Sequence, residues 1–257
     1  MSVIDVKIDV QEIVDISVKA GAAILEIYAQ DFEVDFKEDE SPLTSADKKA
    51  NEVICDFLKA NYPDIPILSE ENKAADYEER KNWDYFWLVD PLDGTKEFIK
   101  KNGEFTVNIA LIKGGMPVMG VIYVPVKDKV YYAEKGKGSF VIENKETRKL
   151  EKAVVADGII NIAASRSHLN DETQAFVDSK KADNAVNFIS AGSSLKFCLV
   201  AEGKAHFYPR FAPTMEWDTG AGQIIAEESG ATVTIANTDQ PLVYNKENLL
   251  NPYFLVQ

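Results

Sequence analysis

Asp90-Pro91-Leu92-Asp93-Gly94-Thr95 closes the apolar run Trp87-Leu88-Val89 and gathers oxygen atoms where the chain turns. Two carboxylates three residues apart across a proline turn can converge on one point at the carboxyl end of a strand. The Leu92 carbonyl lies between them as a third oxygen. A donor set made only of oxygen selects Mg2+, Ca2+ or Mn2+ rather than zinc. Immediately afterwards the backbone N–H groups of Gly94 and Thr95 open a short helix, a place that suits a phosphate. The segment reads as a cation site abutting an anion site. Taken in isolation, Asp90 and Asp93 would serve a turn and a helix cap equally well.

Spacing excludes two look-alikes. An EF-hand loop needs oxygen at its third position, where Leu92 stands, and Glu at its twelfth, where Lys101 stands. The D-x-D-G-T of aspartyl-phosphate enzymes has one residue between its acids, and here there are two. The two histidines (His168, His206) and two cysteines (Cys55, Cys198) are scattered without ligand spacing, which excludes a closed zinc site. They form no disulfide framework, so a reducing compartment is expected. Catalysis must therefore lean on carboxylates.

The formal charge is −14, which argues against a nucleic-acid polymer or an anionic membrane surface as partner. That acidity is uneven. Residues 1–82 hold 9 basic and 20 acidic side chains, a net of −11, whereas residues 83–210 hold 18 and 16, a net of +2. An anionic small molecule is expected to meet the middle of the chain. No basic, apolar leader opens the sequence and no apolar run of membrane-spanning length occurs, so a soluble, cytoplasmic protein without an integral membrane segment is expected.

The elements that must position these residues are legible as patterns. Ile13, Ile16, Ala20, Ile24 and Ile27 mark one face of a helix over 8–29, and Ala50, Val53, Ile54, Phe57 and Leu58 mark a second over 45–60. Thr44 to Asp47 fits a capping box at the start of the second helix. Short β-branched and aromatic runs follow at 65–69, 85–90, 105–112, 117–125 and 129–134, with hairpin turns at Gly114-Gly115 and 136–139. Beyond residue 155, runs at 159–165, 186–190 and 205–209 alternate with helices over 170–181, 194–202 and 218–229, which predicts βαβ units. The chain reads as α/β (α+β), with an N-terminal half (1–155), a C-terminal half (156–257) and a site at their interface. Cys55, Cys198, Trp83, Trp87 and Trp217 read as packing residues.

D-P-L-D-G-T, with Glu70 twenty residues upstream and Trp217-Asp218 followed by Gly222, resembles the lithium-sensitive, Mg2+-dependent phosphomonoesterase superfamily. That superfamily includes inositol monophosphatases, fructose-1,6-bisphosphatases and 3′(2′),5′-bisphosphate nucleotidases. Lys96-Glu97-Phe98 after the motif is similar to the bacterial nucleotidase branch, where inositol monophosphatases usually have Thr-Asn-Phe. The resemblance covers essentially the whole chain and implies a layered αβαβα sandwich of the sugar-phosphatase type. Gly220-Ala221-Gly222 departs from the usual Ala-Ala-Gly but alters no side-chain ligand.

The resemblance implies metal ligands at Glu70, Asp90, the Leu92 carbonyl, Asp93 and Asp218, holding about two to three Mg2+ ions. It implies a water-activating pair, Asp47 and Thr95, and a catalytic-loop lysine at Lys37. Gly94, Thr95, His168, Gly192, Ser193, Lys196 and Arg210 would contact substrate, with Gly192 near the ribose and Lys196 and Arg210 anchoring a non-reacting phosphate. The implied reaction converts adenosine 3′,5′-bisphosphate to AMP and phosphate, and extends to the 5′-phosphosulfate analogue. An inositol or sugar-phosphate phosphatase is the alternative within the enzyme class, and a Mg2+–nucleotide sensor the alternative outside it. The resemblance also leaves room for a homodimer and for peripheral attachment to the inner membrane.

Overall fold

Alternation over residues 85–124 sorts side chains onto two buried faces. On one face lie Phe86, Leu88, Ala110, Ile112, Ile122 and Val124; on the other lie Trp87, Val89, Ile109, Leu111, Val121 and Tyr123. Strands covered on both faces read as continuous apolar runs, as these do. In the computed structural model, which describes residues 8–30, 34–36, 42–155, 158–164 and 170–257, they form the middle of a seven-stranded sheet.

In chain order, helix α1 (Val10–Tyr28) is followed by the hairpin strands β1 (Val34–Phe36) and β2 (Pro42–Thr44), and by helix α2 (Ser45–Asn61). Strand β3 (Ile67–Ser69), a short helix α3 (Tyr77–Arg80), strand β4 (Tyr85–Asp93) and a short helix α4 (Thr95–Ile99) come next. The antiparallel run β5 (Thr106–Lys113), β6 (Met116–Val124), β7 (Lys129–Glu134), β8 (Gly138–Glu143) and β9 (Glu146–Lys149) completes the sheet. Its order is β3 to β9 in sequence, and only β3 and β4 pair in parallel.

The second half supplies β10 (Ile159–Ala164), α5 (Asp171–Lys181), β11 (Ala185–Ser190), α6 (Leu195–Ala201), β12 (Tyr208–Arg210), α7 (Gly220–Glu228), β13 (Val233–Ile235) and β14 (Phe254–Val256). β10 and β11 pair in parallel around α5, one βαβ unit as the alternation predicts. β12, β14 and β13 form a separate antiparallel sheet.

Helices α1 and α2 cover one face of the large sheet through Ile13, Ile16, Ala20, Ile24, Ala50, Ile54 and Leu58. α6 and α7 cover the other face, and beyond them lie the smaller sheets and α5. The layers thus alternate helix, sheet, helix, sheet, helix. One core cluster joins Phe86 and Ile122 to Phe197, Ile224 and Phe254, across the expected boundary at 155. Close approach of α7 to the sheet depends on small residues: a Cβ on Gly120 would meet Ala221 backbone at 2.8 Å. Cys55 and Cys198 are buried free thiols, and Trp87 is fully buried.

Three expectations differ in detail. β4 does not stop at Asp90 but continues to Asp93 through a register shift against β5. Asp218 does not begin an α-helix: it closes a 3₁₀ turn, Glu216–Asp218, and its carboxylate accepts from Met215 N–H at 2.9 Å. α7 starts two residues later. The pair β8–β9, whose tip Asn144-Lys145 takes positive φ, was not foreseen because polar Glu146–Lys149 lacks apolar alternation.

Candidate active site

The register shift decides where the acids of β4 point. Strict alternation would turn Asp90 and Leu92 to one face and Asp93 to the other. An extra residue between Asp90 and Asp93 reverses the parity. Leu92 consequently buries its side chain among Trp87, Val89 and the α1/α2 layer. Asp93 is left on the side of Asp90, facing α6 and α7. Asp90 is only 1% exposed, and its Oδ1 accepts from Leu92 N–H at 3.1 Å.

Glu70 reaches the same place because β3 runs parallel to β4. The ladder pairs Ser69 with Val89, and Glu70 N–H donates to the Val89 carbonyl at 3.1 Å. The turn after β3 is tied to α2 by Ser69 Oγ on Asn51 Oδ1 (2.7 Å) and Asn51 Nδ2 on Asn72 Oδ1 (2.9 Å). Asp218 arrives from the opposite layer. One carboxylate oxygen each of Glu70, Asp90 and Asp218 lies within 4.8 Å of the others.

Gathering acids in this way is electrostatically unfavourable. Burial, and then the charges of Glu70, Asp93 and Asp218, push Asp90 well above the usual carboxylate range. Burial and the Asp93 charge do the same to Asp218. Burial also raises Asp93, although Lys196, Ser194 N–H and Asn108 pull the other way. Buried anions held together without a countercharge are costly, and a hard divalent cation is the partner whose chemistry fits an all-oxygen donor set.

Asp47 occupies the third position of α2. Its Oδ2 accepts from Thr44 N–H (2.8 Å) and Thr44 Oγ1 (2.6 Å), completing the capping box. Its other oxygen, Oδ1, accepts from Thr95 Oγ1 at 3.0 Å. The Leu92 carbonyl lies 3.4 Å from the same hydroxyl. Burial raises the Asp47 pKa against the hydrogen bonds that lower it. Gly94 turns the chain into α4 with φ 96°, a left-handed conformation natural to glycine.

Beside the acids opens a cavity of ≈ 320 Å3 whose lining includes Asp93, Gly94, Glu97, Gly192, Ser193 and Asp218 together with the cations Lys96, Lys100 and Arg210. Arg210 Nη2 donates to the Pro213 carbonyl at 2.9 Å, while its buried Nε has no partner among the described residues. Lys196 also lines the cavity, but its ammonium donates to the Ala191 (3.1 Å) and Ser193 (2.7 Å) carbonyls. Burial first, then Arg210, lower its pKa to about 8. Gly192 N–H donates to Glu104 Oε2 at 2.9 Å, and a Cβ on Gly192 would meet the Glu104 carbonyl at 2.8 Å.

The structure therefore gathers Glu70, Asp90 and Asp218, sets Asp93 beside them, and joins Asp47 to Thr95. Gly94, Gly192, Ser193, Lys196 and Arg210 share one cavity. Lys37 and His168 lie outside the described residues. Sequence reasoning missed Thr106, Asn108 and Ser194, which bond to one another under Asp93, and the cavity lysines Lys96 and Lys100. Asn108 had a signal: a polar side chain in the middle of the apolar run Val107–Ile112 needs a buried partner.

The model of the inositol monophosphatase family matches residues 8–253. The chain is 45% identical over 248 residues to the 3′(2′),5′-bisphosphate nucleotidase CysQ of Salmonella typhimurium, covering 96% of this chain and 98% of that protein. The nucleotidase of the same name from Escherichia coli K12 is 45% identical over 240 residues, 92% of this chain and 94% of that one. The crystal structure of CysQ from Bacteroides thetaiotaomicron, described as a bacterial member of the inositol monophosphatase family, superposes with a TM-score of 0.85. It shares 50% identity, over 95% of this chain and 94% of that one.

Proposed function

This chain belongs to the inositol monophosphatase family, a family of metal-dependent phosphatases, and from that premise we propose that it is a 3′(2′),5′-bisphosphate nucleotidase. Its reaction is the hydrolysis of adenosine 3′,5′-bisphosphate to AMP and phosphate, with the 5′-phosphosulfate analogue as a second substrate. The observation that carries the reading is the charge of the cavity lining: beside the acids Asp93, Glu97 and Asp218 it holds four cationic side chains, Lys96, Lys100, Lys196 and Arg210. A monoester such as inositol phosphate carries no second anionic group for those cations. A bisphosphate does.

Glu70, Asp90, Asp93, Asp218 and the Leu92 carbonyl would hold the cations, about two to three Mg2+ ions. When bound, such ions acidify water, neutralise the phosphoryl oxygens and stabilise the departing ribose oxygen. The remaining work falls to the chain itself. Thr95 Oγ1 spends its proton on Asp47 Oδ1, so its lone pairs are free to accept from the attacking water. The water's proton then passes through the hydroxyl to Asp47, whose raised pKa suits it to accept. The water oxygen bonds to phosphorus as the bond from phosphorus to O3′ breaks. Gly94 and Gly192 line the cavity, and the absence of a side chain on each lets both turns pack against the Glu104 backbone.

The test is a substrate panel with and without Mg2+. A higher kcat/KM on adenosine 3′,5′-bisphosphate than on inositol 1-phosphate is expected, and the reverse preference would overturn the substrate assignment. Phosphate release from neither ester would favour the nucleotide-sensor alternative. No helix among the described residues is long and apolar enough to cross a membrane. A cytoplasmic enzyme acting on a small nucleotide fits that absence and the family.

A further inference from the structure

Under Asp93 lies a closed set of hydrogen bonds. Thr106 and Asn108 are adjacent same-face residues of β5, opposite Asp93 and Asp90 in register, and both are at most 1% exposed. Asn108 Oδ1 accepts from Thr106 Oγ1 (3.1 Å) and from Ser194 Oγ (2.9 Å). With two hydroxyls on its oxygen, the amide can only present its nitrogen to the remaining neighbour, and Nδ2 lies 3.3 Å from Asp93 Oδ2. Ser194 N–H donates to that same Oδ2 at 2.6 Å. Both donors fall on one oxygen, and among the described residues Asp93 Oδ1 accepts none.

The set extends into the cavity wall. Thr106 Oγ1 also lies 2.9 Å from Ser193 Oγ and 2.8 Å from Ser194 Oγ. Ser193 is held at φ 47°, a left-handed conformation, with its carbonyl bound by Lys196. The turn that lines the cavity and the Asp93 carboxylate beside it are therefore fixed by the same two side chains.

We propose that Asn108, oriented by Thr106, is a positioning residue: it commits Asp93 Oδ2 to the protein, leaves Oδ1 to the cation, and so couples cation affinity to the Gly192–Ser194 turn. The proposal rests on the reading of Asp93 as a metal ligand. An outer hydrogen-bond partner of this kind restricts the rotation of the carboxylate, and losing one typically weakens metal binding by about 10- to 100-fold. Asn108→Asp would remove the donor and set a fifth carboxylate beside Glu70, Asp90, Asp93 and Asp218. Alanine would free the Asp93 carboxylate to rotate about its single remaining donor.

The test titrates Mn2+ into the metal-stripped protein without substrate and reads free ion by electron paramagnetic resonance. Melting temperatures are recorded alongside. Asn108→Ala is expected to raise the Mn2+ Kd by about 10-fold. Thr106→Val, which keeps the shape but lets the amide turn over, should raise it by roughly 3-fold and raise KM more than it lowers kcat. A lowered melting temperature with the Mn2+ Kd unchanged in both variants would overturn the proposal, leaving Asn108 a buried polar strut. Should Asn108→Ala not fold, the near-isosteric Thr106→Val decides alone. Asp93→Asn separates the two levels: an unchanged Kd there overturns the ligand reading itself, whereas a weakened Kd there beside intact binding in the strand variants overturns only the positioning role.

Discussion

Thr95 Oγ1 donates to Asp47 Oδ1 across 3.0 Å and 48 residues of sequence, while the other oxygen of the same carboxylate caps helix α2. One side chain thus links the integrity of a helix start to the geometry of the proposed proton path, and each oxygen has its own partner.

The two roles separate by mutation. Thr44→Ala removes the cap and should cost about 1 kcal/mol of stability, with kcat changed little. Thr95→Val removes the path and should lower kcat by about 100-fold or more, with the melting temperature nearly intact. Asp47→Asn should show both losses. Paired kinetics and thermal melts check this; full activity in Thr95→Val would end the proton-path reading.

Removing divalent cations should expose the strain of the acidic cluster. Asp90 and Asp218 have pKa values raised above their unfolded values, so the metal-free protein holds extra protons at low pH. Such groups support the fold below the unfolded carboxylate range, and that support fades as pH rises through the folded values. The melting temperature after chelation should fall from pH 5 to pH 8, and added Mg2+ should restore more at pH 8. Equal restoration at both pH values would contradict the account.

Arg210 offers a buried Nε without a partner among the described residues and lines the cavity. Arg210→Met should lower kcat/KM on adenosine 3′,5′-bisphosphate by about 10- to 100-fold, the loss of one charge-assisted hydrogen bond. Adenosine 3′-monophosphate, lacking the second phosphate, should be affected little. An equal loss on both nucleotides would place Arg210 at the reacting phosphate instead.

Glu202 is a test of stability far from the chemistry. Its side chain is fully buried against Lys129 and Lys204, and Tyr131 donates to it at 2.5 Å. Burial pushes its pKa up, but the bonds from Lys129, Lys204 and Tyr131 together outweigh burial and bring it below 4.5. A depressed carboxylate stabilises the fold above its unfolded pKa and loses that contribution as pH falls through its folded one. Glu202→Gln should cost about 3 kcal/mol at pH 7, because Lys129 is left poorly compensated. The difference from the wild-type chain should narrow below pH 4. A pH-independent difference in urea melts would rule out the ionised pair as its source.

How much of this was legible in the sequence depends on whether a residue acts through its neighbours or through register. Asp90 and Asp93 announce themselves by spacing, and Thr44–Asp47 by its capping pattern. The strand running on to Asp93 was not legible, since a bulge depends on the partner strand rather than on Pro91 alone. Glu70 and Asp218 carry no local signal strong enough to lift them from an acidic turn and a helix cap; the family resemblance singled them out. Asp218 then proved to sit in a 3₁₀ turn, because Met215 N–H takes its carboxylate. Asn108 and Thr106 matter only through what β5 faces, which pairing across β4 decides. Lys196 read as an anion anchor, yet its ammonium is turned towards two carbonyls that only the folded turn presents.

The separation of Glu70, Asp90 and Asp218 along the chain has a consequence for biosynthesis. Two of these carboxylates leave the ribosome early, one just after β3 and one on the neighbouring parallel strand β4, while the third follows only after β10, β11, α6 and β12 have been made. A nascent chain arrested before Asp218 contains β3, β4, Glu70 and Asp90 but lacks the third carboxylate of the trio. If the trio holds a cation as proposed, its capture would belong to the last stage of maturation, and shortage of the ion would penalise the finished polypeptide rather than its growing precursor.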